Sequence, residues 1–205
     1  MTTIAHVRQI RLERRSRSYW RVTFDLPPLN IFGPKEIPQL NEIITALETD
    51  EQVKVVVFDS AVEGFFLTHY DFLAKLEDST SLPPGPTGLQ PLPDMLVRLS
   101  RAPVVSIVSI RGRATGVGSE LDAFVDALAR RIASFDKQAI AETKRLVDVA
   151  SLPADAEIAP EWEAFLASVG RPASQVRIKA LMERGFHKAG DVENRLGYYV
   201  GELVR

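Results

Sequence analysis

Cysteine is absent from this chain and histidine is scarce, with three residues among 205. The absence of cysteine excludes disulfides, thiolate nucleophiles and sulfur-ligated metals. His6, His69 and His187 form no H-E-x-x-H pattern, which argues against a zinc site of the metalloprotease type. We therefore expect no metal ion in the function of this chain.

A strong charge of one sign is also missing. The 25 basic and 27 acidic residues leave a formal net charge of −2, so nothing indicates a nucleic-acid partner. No apolar segment has the length of a membrane span, and the opening residues MTTIAHVRQIRLERR lack the apolar core of a signal peptide. We expect a protein with no membrane partner, located in the cytoplasm.

The sequence does have enough apolar material for a core. Hydrophobic residues make up 45% of the chain and charged residues 25%, an ordinary balance for a globular protein. A length of 205 residues suits one domain, or one domain with an appended helical part.

Strands and helices alternate in the first half of the chain. Two segments alternate apolar and polar residues, which is typical of half-buried strands, and two others are almost continuously apolar, which is typical of strands buried on both faces. Two further segments carry apolar residues at helical spacing. The predicted order is strand 4–12, strand 18–26, helix 35–48, strand 53–60, helix 91–101 and strand 103–112. This order predicts an α/β fold.

Residues 79–93 are rich in proline and glycine, STSLPPGPTGLQPLP. Loops of that length inside a compact domain tend to be functional or mobile. A plain spacer explains the composition equally well, and the sequence leaves both interpretations open.

The chain from residue 120 to its end has the pattern of successive amphipathic helices. Asp136 and Asp155 stand where helix N-caps are expected, and Asp191 can cap a short final helix. Such a run of helices after an α/β core either covers the sheet or packs against a second subunit.

The segment RATGVGSEL, residues 113–121, places two glycines just before a predicted helix. The dinucleotide fingerprint fails because Leu121 stands at the third glycine position, and the P-loop fails because no Gly-Lys-Ser/Thr follows. The nucleophile elbow fails because Ser119 is not flanked by glycines at the required spacing. With these three motifs excluded, the segment is interpreted as a glycine turn followed by the start of a helix that carries Glu120.

Unpaired backbone N–H groups at such a turn can stabilise negative charge, including charge that develops during a reaction. An oxyanion hole needs a second donor. The segment EGFFLTHYDF, residues 63–72, also follows a buried strand and leads toward a predicted helix that Asp71 can cap. The two turns can therefore direct their N–H groups to one point.

These two segments resemble the paired motifs of the crotonase superfamily, the enoyl-CoA hydratase/isomerase family. FFLTHYDFL (65–73) is similar to the first motif and APVVSIVSIRGRATGVGSEL (102–121) to the second, and residues 122–147 resemble helices near the end of the family's chain. The resemblance implies an α/β fold with a shortened crotonase-like ββα spiral core. It divides the chain into an acyl-CoA-binding core, 1–121, and a C-terminal helical or oligomerisation region, 122–205.

The resemblance also implies roles for individual residues. The backbone N–H groups of Thr68 and Val117 would hold the thioester oxygen and stabilise an enolate, and Glu120 would act as an acid/base. Coenzyme A would enter as part of an acyl-CoA substrate, with no separate cofactor. The resemblance further implies a homotrimer, or a hexamer made of two trimers. The implied substrate-binding residues are Thr68, His69, Tyr70, Asp71, Gly116 and Val117.

The chain departs from the family after Leu121. The family has further strand and helix turns there, including the segment with a second catalytic glutamate, whereas here Asp122 follows at once. A natural deletion, a designed deletion and an incomplete sequence all remain open. Chemistry through Glu120 alone is less affected than two-glutamate hydration. The alternative function is a non-catalytic relative that binds acyl-CoA or only oligomerises.

Structural interpretations compete with each functional one. Gly116 and Gly118 fit an ordinary turn, Glu120 fits a solvated first helical turn, His69 fits a structural histidine, and Asp71 fits a helix cap. The aromatic residues of the first motif, Phe65, Phe66 and Phe72, fit the core better than an acyl pocket.

Three lysines could meet CoA phosphates, but no sequence feature distinguishes them from ordinary surface lysines. They are Lys35, Lys75 and Lys144.

Overall fold

A computed structural model describes residues 9–110 and 118–203. Four strands and nine helices are found in these ranges. In chain order they are β1 Ile10–Arg14, β2 Tyr19–Phe24, α1 Ile37–Thr49, β3 Val55–Ser60, α2 Leu76–Thr80, α3 Pro91–Arg101, β4 Val105–Val108, α4 Gly118–Ala133, α5 Lys137–Ser151, α6 Asp155–Gly170, α7 Pro172–Glu183, α8 Asp191–Asn194 and α9 Leu196–Glu202.

The four strands form one sheet in the order β1-β2-β3-β4. β1 pairs antiparallel with β2, whereas β2, β3 and β4 are parallel neighbours. All six residues of β3 are buried, which confirms the prediction from its continuous apolar run. Because β3 and β4 are parallel and adjacent, the segments that follow them leave the sheet at the same edge.

Both faces of the sheet are covered. One face, which includes Trp20 and Phe58, packs against the apolar sides of α1 and α3 and forms the larger core. The opposite face, which includes Tyr19 and Val57, packs against Val125 of α4. Helix α4 therefore supplies the second layer of this α/β fold.

Helix α4 runs without interruption through Leu121, the residue after which the sequence departs from the family's pattern. Leu121 and Asp122 are consecutive residues of the single helix Gly118–Ala133. Leu121, before the junction, and Val125 and Ala129, after it, all pack against the same face of the sheet. The predicted boundary between residues 121 and 122 thus lies inside a helix, and the helix that begins at the glycine turn also covers the sheet.

Several element bounds differ from those predicted. Helix α3 has the predicted bounds, but β1 lies at Ile10–Arg14 rather than 4–12, and residues 1–8 are outside the described ranges. Asp136 is confirmed as an N-cap, because its carboxylate accepts a bond of 2.9 Å from the N–H of Ala139.

The predictions for Asp155 and Asp191 as N-caps are wrong. Each residue is the first residue inside its helix, and the cap positions belong to Ala154 and Gly190. Asp155 instead pairs with Arg101. Asp191 accepts a bond of 2.6 Å from the hydroxyl of Tyr199. Both carboxylates still lie in a first helical turn, where negative charge is favourable.

The proline-rich loop is shorter than predicted and is organised around a buried carboxylate. Helix α2 ends at Thr80 and α3 begins at Pro91, so the loop covers 81–90. Asp94, 1% exposed, accepts bonds of 3.0 and 2.7 Å from the N–H and hydroxyl of Thr87. Gly85 packs so closely on Asp94 that an added Cβ would clash with it. The loop is therefore held in a defined conformation.

Within the described residues, no helix combines the length and the apolar character that a membrane crossing requires.

Candidate active site

The two segments singled out in the sequence follow the carboxyl ends of adjacent parallel strands. Residues 65–73 come after β3, and the helix α4 that carries Glu120 comes after β4. The fold therefore directs both segments to one edge of the sheet. This edge is where open α/β sheets place their ligands.

A short backbone ladder fixes the position of residues 68–71, which we call the Thr68 turn. The N–H of Phe32 donates to the carbonyl of His69 over 3.1 Å, and the N–H of Asp71 donates to the carbonyl of Phe32 over 2.8 Å. The N–H of Thr68 makes a longer bond, 3.4 Å, to the carbonyl of Asn30. The predicted oxyanion donor is thus the least firmly bonded N–H of this ladder.

Asn30 is the anchor of the ladder, and sequence reasoning missed it. Its φ of +53° lies in the left-handed region, which asparagine tolerates better than most residues. Its side-chain oxygen accepts a bond of 2.7 Å from the N–H of Leu26, and its amide donates over 2.6 Å to the hydroxyl of Ser60. Ser60 ends β3, so Asn30 ties the Thr68 turn to the sheet.

The side chain of Thr68 contributes an unexplained polar atom. Its hydroxyl oxygen is buried and has no hydrogen-bond partner within the described part of the chain. Buried hydroxyls without partners are rare in folded proteins and often mark a functional position.

The side chain of His69 is engaged by protein groups on both ring nitrogens. Nε2 lies 3.1 Å from Oε1 of Glu193, and Nδ1 lies 2.9 Å from the carbonyl oxygen of Tyr70. The ring also stacks on Phe186 at 4.6 Å between centroids. His69 therefore has a structural environment, in agreement with the structural interpretation of this residue.

Tyr70 and Asp71 also make contacts within the protein. The hydroxyl of Tyr70 lies 2.9 Å from that of Ser79, and burial raises the pKa of this phenol. The carboxylate of Asp71 accepts bonds of 2.9 and 3.2 Å from the N–H groups of Leu73 and Ala74. Asp71 therefore caps a turn rather than a helix, because α2 begins only at Leu76.

The predicted core role of two phenylalanines agrees with their contacts. Phe66 meets Phe24 edge to face at 5.7 Å between centroids, and Phe72 lies 6.1 Å from Phe186.

The second half of the predicted site is described only in part. Glu120 lies in the first turn of α4, and its backbone alone is described. Gly116 and Val117 lie outside the described residues. Their predicted roles rest on the sequence and on the place of α4 after β4 in the chain.

A cleft of about 740 Å³ adjoins the Thr68 turn. Asp71 and His187 line it on the side of the turn, and Lys35 and Lys75 supply positive charge. Its other walls include the apolar segment 26–29. The cleft thus combines an apolar surface with two lysines and three carboxylates, those of Glu36, Asp71 and Asp78. The two lysines are the groups that can contact phosphates of a ligand.

Glu36 is a buried acid in this cleft that the sequence did not reveal. Its carboxylate accepts a bond of 2.8 Å from the N–H of Gly33. Burial raises the pKa of Glu36, and the charge of Asp71 acts in the same direction. Gly33 packs against the side chain of Asp71 so closely that an added Cβ would lie 2.9 Å from the Cβ of Asp71.

The structure distinguishes the environments of the three lysines, which the sequence alone does not. Lys144 turns inward, where its ammonium donates over 2.7 Å to the carbonyl of Val104, and burial lowers its pKa. Lys35 and Lys75 line the cleft. Lys144 therefore has a structural contact, whereas the other two can meet a ligand.

Comparison with known proteins agrees with this architecture. No protein-family model matches the chain. A mouse protein, enoyl-CoA hydratase domain-containing protein 2, mitochondrial, is 34% identical over 92 residues, which are 45% of this chain and 30% of the mouse protein. The matching part thus spans less than a third of that relative.

Solved structures match over most of the chain. A candidate enoyl-CoA hydratase from Streptomyces avermitilis has a TM-score of 0.81 and 23% identity, covering 94% of this chain and 96% of the other. An enoyl-CoA hydratase/isomerase from Xanthobacter autotrophicus Py2 has a TM-score of 0.63 and 18% identity, covering 87% and 94%. The predicted resemblance is therefore confirmed, and this chain has the α/β fold of the crotonase superfamily.

Proposed function

We propose that this chain binds acyl-CoA thioesters and acts on them as an enzyme of the enoyl-CoA hydratase/isomerase type. The observation that carries the proposal is that two segments follow the carboxyl ends of adjacent parallel strands. One offers the weakly bonded N–H of Thr68, and the other begins the helix that carries Glu120.

The backbone N–H groups of Thr68 and Val117 would hold the thioester oxygen. Negative charge grows on that oxygen when a proton leaves the adjacent carbon, and preorganised donors stabilise that charge. The hydrogen bond from the N–H of Thr68 to the carbonyl of Asn30 is long. The ligand oxygen would therefore replace this carbonyl as the acceptor or share the N–H with it. The hydroxyl of Thr68, for which the described residues offer no hydrogen-bond partner, adds a polar group beside the proposed oxygen site.

Glu120 would move the proton. In isomerisation, its carboxylate takes a proton from the carbon next to the thioester and returns it two carbons further along the chain, so one base completes the reaction. A carboxylate near the N-terminus of a helix is favoured in its ionised form, which is the form needed to accept a proton.

The cleft beside the Thr68 turn would receive the coenzyme A part of the substrate. Lys35 and Lys75 would face its phosphates, and the apolar wall 26–29 would contact its organic portion. Coenzyme A would thus arrive with the substrate, and no separate cofactor takes part. The carboxylates of Glu36, Asp71 and Asp78 outnumber the two lysines in this cleft, so the phosphates would be held by direct contact with Lys35 and Lys75 rather than by a net positive surface.

Two assays of the purified chain test this function. One assay supplies crotonyl-CoA and follows loss of the double bond conjugated to the thioester. The other supplies a 3-enoyl-CoA and follows formation of such a conjugated double bond. We expect turnover of at least one substrate, with kcat lowered by about 100-fold or more in Glu120→Gln. Glu142→Gln, which alters an exposed glutamate of α5, is the control and should match the wild type. Turnover of neither substrate, or equal turnover by Glu120→Gln, would overturn the proposal.

A second candidate function is that of a non-catalytic relative. The observation favouring it is the direct junction of Leu121 and Asp122 within α4, where the family has its second glutamate segment. Such a chain would bind a saturated acyl-CoA measurably by calorimetry and turn over neither unsaturated substrate. A chain that only oligomerises would bind no acyl-CoA.

The location and assembly of the chain are further proposals. The mouse relative is named as mitochondrial, and the cytoplasmic location of this chain remains a prediction. The trimeric or hexameric state of the chain is likewise a proposal.

A further inference from the structure

The helix α8, far along the chain, makes direct contact with the Thr68 turn. Oε1 of Glu193 lies 3.1 Å from Nε2 of His69, although the two residues are 124 positions apart. The side chains of Glu193 and His69 are 2% and 10% exposed. Because both side chains are buried, water screens this contact less than it screens a pair at the surface.

One oxygen of Glu193 serves two donors. The same Oε1 accepts a bond of 2.7 Å from the backbone N–H of His187. His187 has a φ of +65°, a left-handed conformation that is costly for a residue other than glycine. The bond from Glu193 thus joins a strained backbone position near α8 to the ring of His69.

The ring of His69 has little freedom to move. Its Nδ1 lies 2.9 Å from the carbonyl oxygen of Tyr70, and its faces meet Phe72 and Phe186 at 5.7 and 4.6 Å between centroids. The backbone carbonyl of His69 accepts a bond of 3.1 Å from Phe32. A ring held on so many sides constrains the backbone that immediately follows Thr68.

We propose that Glu193 is a positioning residue that, through His69, fixes the direction of the Thr68 N–H for the thioester oxygen. This inference rests on the proposed function, because it concerns the oxyanion donor of that reaction. Glu193 itself does not touch the reacting atoms. It makes the C-terminal part of the chain a support for a site formed by the N-terminal part.

The size of the effect follows from the geometry. A displacement of about 1 Å at a reacting centre can cost about 100-fold in rate. Removal of Glu193 leaves the two bonds between Phe32 and the turn in place, so the turn would loosen rather than unfold. We expect kcat to fall about tenfold, a fraction of what is lost when an oxyanion donor is removed entirely.

Three substitutions at Glu193 distinguish the effect of its charge from the effect of its side-chain length. Glu193→Ala removes both. Glu193→Gln keeps an oxygen at the same distance, which can accept from both His69 and His187, but removes the charge. Glu193→Asp keeps the charge but is one methylene shorter. The control is Glu183→Ala, at an exposed position at the end of α7.

The measurement is kcat and KM for whichever unsaturated acyl-CoA the wild type turns over, with folding checked by circular dichroism. We expect Glu193→Ala and Glu193→Asp to lower kcat about tenfold with a smaller change in KM, because the lost interaction acts mainly in the transition state. Glu193→Gln should stay within about threefold of the wild type. If Glu193→Ala fails to fold, the contrast between the Gln and Asp variants still decides.

Equal kcat values for the Asp, Gln and control variants would overturn the inference and leave the proposed function intact. A change confined to thermal stability, with kcat unaltered, would also overturn it, since Glu193 would then have a structural role only. Absence of turnover in the wild type would instead overturn the proposed function on which the inference rests.

Discussion

Thr68 carries the N–H group on which the proposed chemistry depends. That group faces the carbonyl of Asn30 at 3.4 Å, while the neighbouring ladder bonds are 3.1 and 2.8 Å. The difference matters because a ligand oxygen has to compete with the existing acceptor. A long bond is weaker and easier to replace than a short one.

The two lysines of the cleft provide a test at the scale of single residues. Lys35→Ala and Lys75→Ala should each weaken binding of butyryl-CoA several-fold, because each removes one positive charge from the proposed phosphate-binding surface. The loss should shrink at high salt, which screens exposed charges. Isothermal titration calorimetry at two ionic strengths measures both effects. Lys179→Ala, at an exposed position of α7, is the control, and equal affinity in all three variants would exclude the cleft as the CoA site.

His187 provides a test of pH dependence. Burial lowers the pKa of His187 below its ordinary 6.5, and the charge of His69 acts in the same direction, while Asp71 and Glu193 partly oppose both. Between the lowered pKa and 6.5 the unfolded chain binds more protons than the folded one. The contribution of His187 to stability is therefore complete above 6.5 and is lost as the pH falls through this window.

We expect His187→Asn to lose less unfolding free energy than the wild type between about pH 7 and pH 5.5. Asparagine tolerates the left-handed backbone of this position, so the substitution removes the titrating ring with little added strain. Urea denaturation at both pH values gives the comparison. An identical pH dependence in the two proteins would contradict the assignment.

Helices α1 and α3 are held together by a buried cation. Arg98, 6% exposed, donates from Nε over 3.0 Å to Glu48 and from its two terminal nitrogens to Asn41 and Thr45 over 2.6 and 2.7 Å. It also contacts Asp94 at 3.4 Å, the residue that organises the loop 81–90. One guanidinium thus connects two helices and a loop.

Arg98→Ala should lower the unfolding free energy by about 3 kcal/mol, because it leaves the buried carboxylate of Asp94 without its cation. The matched control is Arg101→Ala on the same helix. Arg101 pairs with Asp155, but these side chains are 44% and 32% exposed, so we expect a cost of at most about 1 kcal/mol. Urea unfolding measures both, and equal losses would contradict the role of burial.

Elements with strong local signals were predictable from the sequence. Helix α3 was predicted at about 91–101, which agrees with its observed bounds, and a helix tolerates proline in its first turn. The Asp136 cap was predicted because aspartate is a preferred residue at helix N-caps, and its carboxylate does accept the N–H of Ala139. The strand β1 overlaps the predicted strand at residues 10–12 and continues to Arg14, because alternation alone does not identify which residues pair with β2.

The long-range parts of the candidate site were not predictable. The contact between His69 and Glu193 joins residues 124 positions apart, and no local pattern reports it. The anchoring role of Asn30 depends on a left-handed backbone that its neighbours in sequence do not impose. The resemblance located the Thr68 turn, but its supports arise from tertiary packing.

At the scale of the whole molecule, the C-terminal helices are only partly covered. Helix α6 buries none of its residues, and α5 exposes Leu146, Val147 and Val149 by 61%, 56% and 77%. Contiguous exposed apolar residues on helices often mark an interface between subunits. This exposure supports the proposed assembly of the chain into trimers or two stacked trimers.

Sedimentation equilibrium tests the assembly. We expect a mass three or six times that of the 22.8 kDa chain. Val149→Glu should shift the distribution toward smaller species if α5 lies in the interface, because it places a charge on an apolar contact. A mass equal to that of the monomer at every protein concentration would contradict the proposed assembly, since the exposed face of α5 would then contact no second copy of the chain.

The central claim is that two backbone N–H groups at the β3–β4 edge hold a thioester oxygen. The most direct measurement is the carbon-13 NMR shift of the thioester carbonyl in butyryl-CoA labelled at that carbon, free and bound to the protein. Hydrogen bonds from an oxyanion hole polarise the carbonyl, so the account predicts a downfield shift on binding, preserved in Glu120→Gln. A bound ligand whose carbonyl resonance stays at its free position would contradict the account.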